Sequence, residues 1–358
     1  MLGLGLVVAA GLFGRANNPA NIAPVTVWVV FWLVLPFLAA VLGNLWSVLN
    51  PWSALGRLLG LKGQSSVRPN VLPATVAFLA FTWLELVHGD SSDPQTLAGA
   101  ALAYTGYLLA WSAVVGTGRA MANADAFTVY HRLLSSIAPF GRDPEGRLRR
   151  RGWLRALPVL PRWRGLPLFV CVMIGTVSYD GLSGTGWWSQ LAFELVGREW
   201  ASTWFRTVSL LVVVGAVYGG YLAACWWAAR TADESTQRVA DAFAHTLVPI
   251  GLAYAFAHYF TLVAFEGQGI VAGLSDPFGL GWDLFGTVGY RANYTWLAPT
   301  AVWWVQVASI VGGHALGVVL AHDRALAMFK GPRAVRSQYA MLALMVALTT
   351  LGLTILAG

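Results

Sequence analysis

Charge is scarce in this chain: 11% of its 358 residues are Asp, Glu, Lys or Arg, against 57% apolar, and mean hydropathy is +0.61. So little charge cannot solvate the surface of a water-soluble domain, which excludes a globular cytosolic enzyme. Lysine is nearly missing, with only Lys62 and Lys330, and the resulting arginine bias suggests a GC-rich bacterial genome. Cysteine is reduced to Cys171 and Cys225, both inside apolar runs, so no disulfide framework is possible and both thiols are expected to pack. Met1 to Phe13 lacks the basic n-region of a cleavable signal peptide. No Walker loop, GxGxxG after a strand, GxSxG, HExxH or CxxC occurs, which removes the usual signatures of nucleotide, serine-hydrolase and zinc-protease chemistry.

What remains is apolar length. Stretches bounded by charge, Pro and Gly fall near 1–13, 24–49, 71–88, 96–116, 165–180, 204–228, 241–265, 299–321 and 338–357. They predict an all-α polytopic bundle of about nine spans, forming one integral membrane domain over 1–358. The first stretch is short: at 1.5 Å per residue it reaches only about 20 Å, against a hydrocarbon core of ~30 Å. An earlier natural start is therefore expected.

The net charge of +7 is carried by arginines in short connections. That placement points to anionic inner-leaflet lipid as the partner and away from nucleic acid. The connections 50–70, 117–164, 229–240 and 322–337 hold nineteen of the 23 Lys and Arg residues; the opposite ones hold Arg15, Arg198, Arg206 and Arg291. By the positive-inside rule, the N-terminus is cytoplasmic and the chain belongs to a bacterial cytoplasmic membrane. Within the basic connection 117–164, residues 122–137 carry an apolar stripe expected to lie on the inner leaflet. In the outer segment 181–203, Gly186 to Val196 has the tryptophans of an interfacial anchor.

Ionisable side chains inside a bilayer cost roughly 2.5–3.5 kcal/mol each on insertion scales, so they persist where they face a cavity, a partner or an ion. The span from Asp241 to Glu266 carries His245 and His258 with a carboxylate at each end. Sorted by depth, Glu85, His88, Asp90, Asp180, His258 and Glu266 fall at the outer face. His245 and His314 fall at similar depth near the inner face, with Gly312, Gly313 and Gly317 leaving room for helix contact or a ligand. A lone membrane histidine often only donates to a neighbouring backbone; the convergence of several groups on one face argues for more. Glu85 and Asp180 are the candidate catalytic carboxylates, and His88, His258 and Glu266 the candidate ligands of Zn, Mn or non-haem Fe, whose bound water would ionise near pH 7. Thirteen residues separate His245 from His258, about 140° on an ideal helix, which disfavours two stacked haems. A single haem or a copper between His245 and His314 stays open.

Asn17-Asn-Pro-Ala-Asn-Ile-Ala-Pro-Val, Gly43-Asn-Leu-Trp-Ser-Val-Leu-Asn-Pro-Trp52, the 243–269 helix ending Phe-Glu-Gly-Gln-Gly, and the run from Trp304 through Gly-Gly-His-Ala-Leu-Gly to His-Asp-Arg-Ala-Leu resemble the bacterial membrane proteins labelled fenitrothion hydrolase. The resemblance covers most of the chain. It implies hydrolysis of an organophosphate triester, a lipophilic small molecule, and a further N-terminal segment with His-Gly and Arg-x-Asp-Leu-Pro runs that this chain lacks. It supplies no site residues. Two functions follow as expectations. One is a metal-dependent hydrolase at the outer face, with Glu85 as general base. The other is a transporter or a metal or proton conduit built on the His245/His258 helix, where Pro249 and Gly251 interrupt the span.

Overall fold

The computed structural model describes residues 1–16, 20–63, 69–143, 145–161 and 163–357, which form an all-helical bundle with one small β-hairpin. Asn17, Asn18 and Pro19, which open the first segment of the resemblance, lie outside the described residues. Among the described residues, seven helices are long and apolar enough to cross a membrane: Ile22–Leu42, Pro94–Val115, Leu166–Ser183, Thr203–Ala232, Thr236–Ala264, Pro299–Met328 and Pro332–Leu356. This makes the chain a multi-pass membrane protein and corrects the count of nine. The other two stretches fold as Leu2–Phe13 and Leu72–Leu86, with 12 and 15 residues. At 1.5 Å per residue they reach only about 18 and 22 Å. Gly14 stops the first, and the second is fenced by Pro73 and by His88-Gly89.

The basic connections share one face of the bundle. Thr117 N–H donates to Leu61 O, Val71 N–H to Arg164 O, and Arg324 Nη2 to Pro158 O, while Phe243 stacks on Phe329. At the opposite face Trp28 donates to Ser91 O, Arg206 to Leu86 O, and Arg15 N–H to Phe278 O. Leu72–Leu86 therefore runs from the basic face toward the other one despite its length. It delivers Glu85 beside the end of Leu166–Ser183.

The stripe at 122–137 does not lie on a leaflet. It forms the helix Ala126–Ser135, buried on nearly every side. The cause is Asp125, fully buried at its N-cap. Asn50 Nδ2 (2.7 Å) and Thr128 Oγ1 (2.6 Å) donate to one carboxylate oxygen, and Tyr104 Oη (2.8 Å) and Phe127 N–H (3.1 Å) to the other. Burial pushes this carboxyl above its ordinary range, and the bonds from Thr128, Tyr104, Asn50 and Phe127 pull it back. Asn50 also caps Pro51–Leu58 through Ser53 N–H, so one polar knot ties three segments together. At Gly186–Val196 only Ala192 is buried, and Trp187, Leu191 and Phe193 are exposed.

His131, on the buried helix, donates Nδ1–H to Phe127 O (2.9 Å) and stacks on Trp46 at 5.0 Å. Burial pushes this imidazole down to about 4, so the folded chain keeps it neutral. As pH falls, the unfolded ring, near 6.5, takes up its proton first. Stability from this group is therefore complete above about 6.5 and is lost between there and about 4. Thermal unfolding of His131→Phe in detergent should show a flatter acid limb than the parent; an equal slope would contradict this assignment.

The span Thr236–Ala264 is not one α-helix. Pro249 has no N–H, and its ring crowds the carbonyl four residues back, that of His245. The chain tightens there into a 3-10 turn, Ala244–Leu247, with Val248 N–H donating to His245 O, before α-helix resumes at Val248–Ala264. Since a 3-10 turn advances about 120° per residue and an α-helix 100°, the angle of 140° between His245 and His258 does not hold. Val248–Ala264 packs closely on Pro299–Met328. A Cβ on Gly313 would lie 2.2 Å from Ala253 Cβ, and one on Gly317 2.8 Å from Ile250 Cδ1. Gly313→Leu should destabilise the bundle by ~1–3 kcal/mol through overpacking, read as a lower melting temperature in detergent. An unchanged melt would mean that the helices separate freely there.

Candidate functional site

Three ionisable side chains meet where Leu166–Ser183, Val248–Ala264 and Leu72–Leu86 come together. Asp180 sits in the last turn of its helix, and its Oδ2 lies 2.9 Å from His258 Nε2. With Asp180 as carboxylate, Nε2–H is the donor and Nδ1 faces Gly181, where a Cβ would stand 3.5 Å away. Both side chains remain about a quarter exposed, 26% and 25%.

Glu85 approaches Asp180 closely enough for their charges to interact. Trp32 Nε1–H donates to Glu85 Oε1 (2.9 Å), while Oε2 is sealed from solvent and has no partner among the described residues. Trp32 stands on a π-helical stretch, Val25–Val34, where Leu35 N–H reaches back five residues to Val30 O. Such stretches re-aim side chains relative to an α-helix and recur at functional sites. Tyr259, the neighbour of His258, lies within electrostatic reach of both carboxylates. Arg206 interacts with Tyr179 and donates to the carbonyl of Leu86, which brings one positive charge to the rim. One turn deeper than His258, the hydroxyls of Tyr254 and Ser178 are close to each other, and neither completes a hydrogen bond among the described residues. Beyond them, Met173 and Ile174 pack on Gly251.

The other residues expected at a site lie elsewhere. His88 accepts from Asp90 N–H through Nδ1 (3.2 Å), and its ring packs edge-on to Trp83. Glu266 accepts from Tyr294 Oη (3.1 Å) on an exposed loop. His245 is buried on the 3-10 turn with Arg324 as its charged neighbour. His314 donates Nδ1–H to Ile310 O (2.8 Å), leaving the Nε2 lone pair buried and unpartnered among the described residues.

This arrangement does not fit the expected metal. Among the described residues, no three His, Cys, Asp or Glu side chains are placed to hold one ion. His258 Nε2 is engaged by Asp180, Glu85 Oε1 by Trp32, and His88 and Glu266 each by a different partner. These bonds hold His88, His258 and Glu266 to three different partners, and a zinc, manganese or iron site on the three would need them brought together. Nor does a porphyrin fit between His245 and His314, because along Gly313 and Gly317 the two helices are already in contact. The glycines there serve close packing.

Sequence reasoning missed Trp32, Tyr259 and Asp125. Tryptophan is too abundant here to single one out, and Tyr259 points away from its neighbour's direction by about 100° on a helix. Asp125 did carry a signal, as a cap residue ahead of an apolar run. No protein-family model matches the chain, and neither does any curated protein or solved structure.

Proposed function

We propose that this chain is a proton-conducting or proton-coupled transport protein of a bacterial cytoplasmic membrane, working through Asp180, His258 and Glu85. The observation that carries this reading is the hydrogen-bonded Asp180–His258 pair with a third carboxyl beside it, one oxygen of which has no partner among the described residues. Groups that exchange protons inside a bilayer are costly to keep and mark relays and carriers. Tyr259 bridges the chemistry: its hydroxyl accepts a proton from a protonated Glu85 as it gives its own to the Asp180 carboxylate, so one proton enters and one leaves. Asp180 then passes that proton to His258 Nε2 when the imidazole carries its hydrogen on Nδ1, and the Nδ1 hydrogen leaves to water, which returns the ring to the Nε2–H form bonded to Asp180. The unpaired hydroxyls of Tyr254 and Ser178 continue the polar track inward as far as Met173 and Ile174.

The test is a pH-sensitive dye inside proteoliposomes. Acid-driven dye response faster than in empty liposomes supports the reading, and no difference from empty liposomes contradicts it.

A second reading is the triester hydrolysis implied by the resemblance, favoured by the exposed edge of the Asp180–His258 pair. In it His258 acts as general base toward water, with Asp180 holding the imidazole, and no metal step enters. Release of nitrophenol from an organophosphate triester, lost in His258→Ala and retained in His131→Phe, selects it. Proton flux without such release selects the first.

A further inference from the structure

The two helices too short to cross a bilayer leave a space beside them. Between Leu2–Phe13, Val25–Val34, Leu72–Leu86 and Pro94–Val115 lies a cavity of about 1200 Å³, larger than the roughly 300–1,000 Å³ that holds a drug-sized ligand. Among the described residues, no charged side chain lines it; Phe31, Trp52, Ala77, Phe81, Tyr104 and Phe127 form much of its wall. The polar ends of these side chains are committed elsewhere. Trp52 donates to Thr105 Oγ1 (2.9 Å) and Tyr104 to Asp125 (2.8 Å), while Thr26 Oγ1 and Trp46 Nε1, on the same wall, are buried with no partner among the described residues. The rim of the cavity is apolar: Leu2 and Val76 are exposed, and the surface continues without a polar break to exposed Leu102 and Val114 on the spanning helix Pro94–Val115. The lipid-facing surface of the bundle thus runs directly into the cavity.

We infer that this cavity is a binding site for the acyl chains of a membrane lipid, which enter sideways between Leu72–Leu86 and Pro94–Val115. Continuity with the lipid-facing surface selects the bilayer as the source, and the lack of a charged wall among the described residues keeps the headgroup outside. The inference is independent of the proton site. The rings of Phe81 and Trp32, 5.0 Å apart, stand between the two, and the Trp32 N–H is turned to Glu85.

The experiment uses the full chain in bilayers containing a phospholipid with a photoreactive diazirine on its acyl chain, with adducts mapped by mass spectrometry. Adducts are expected on Trp52 and Phe127, which at 5% and 3% exposure are shielded from the surrounding bilayer except through the cavity. They should fall about tenfold in Ala101→Phe and in Ala77→Phe, which fill the space from opposite walls; circular dichroism identifies which of the two is folded. Adducts confined to Val76, Leu102 and Val114, or unchanged in a folded filled variant, overturn the proposal. So does labelling of Trp52 and Phe127 by a chain-free aromatic diazirine when the lipid probe leaves them unlabelled.

Discussion

Asp180→Asn should slow proton movement into proteoliposomes by roughly 100-fold, the scale on which removing a positioned acid or base slows proton transfer. The amide keeps an oxygen that accepts from His258 Nε2–H at the same 2.9 Å, so the contact and the fold survive while the exchangeable carboxyl is gone. Glu85→Gln should give a loss of similar size, because its amide can still accept from Trp32 but has no acidic proton to pass to Tyr259. His88→Ala should leave the flux unchanged, since His88 bonds only locally to Asp90. Equal flux in Asp180→Asn and the parent would remove the relay.

The second large effect concerns folding. Asp125→Ala takes the common acceptor from Asn50, Thr128, Tyr104 and the Phe127 N–H in a site with no exposure. Each donor left unpaired in the interior costs ~1–3 kcal/mol. The variant should be recovered mostly unfolded, or melt far below the parent in detergent. Asp125→Asn, which retains one acceptor, should fall between the two. A parent-like melt for Asp125→Ala would show that the helix Ala126–Ser135 is held by its apolar faces alone.

The fold was legible where physics acts along the sequence. Apolar length marked every long helix, and the cap residues Asn50, Asp93 and Asp125 mark starts that the structure uses. The break at His245 was also readable, because Pro249 must displace the carbonyl four residues before it. Length alone would have demoted 1–13 from the spans, whereas 71–88 is long enough in sequence and is shortened to Leu72–Leu86 only in the structure. What could not be read was lateral order. Depth placed Glu85, His88, Asp180, His258 and Glu266 in one layer, but depth does not say which helices are neighbours within it. The structure brings Glu85, Asp180 and His258 together and sends His88 to Asp90 and Glu266 to Tyr294. Matching depth for His245 and His314 likewise implied a shared gap, where close packing at Gly313 and Gly317 leaves none.

The same limit explains the buried helix. A stripe of apolar residues with polar breaks reads as a surface helix when the polar residues are taken to face water. Here Asp125 and Thr128 instead bond each other, and His131 Nδ1 bonds its own backbone, inside the bundle. A polar residue in a sequence reports that a partner is needed, and it does not say whether that partner is water.

Infrared difference spectroscopy of the reconstituted protein across a pH step observes the carboxyls directly. A protonated carboxyl signal that appears in the parent, disappears in Glu85→Gln and changes in Asp180→Asn is the result expected of a working proton site. A spectrum identical in all three proteins would contradict it.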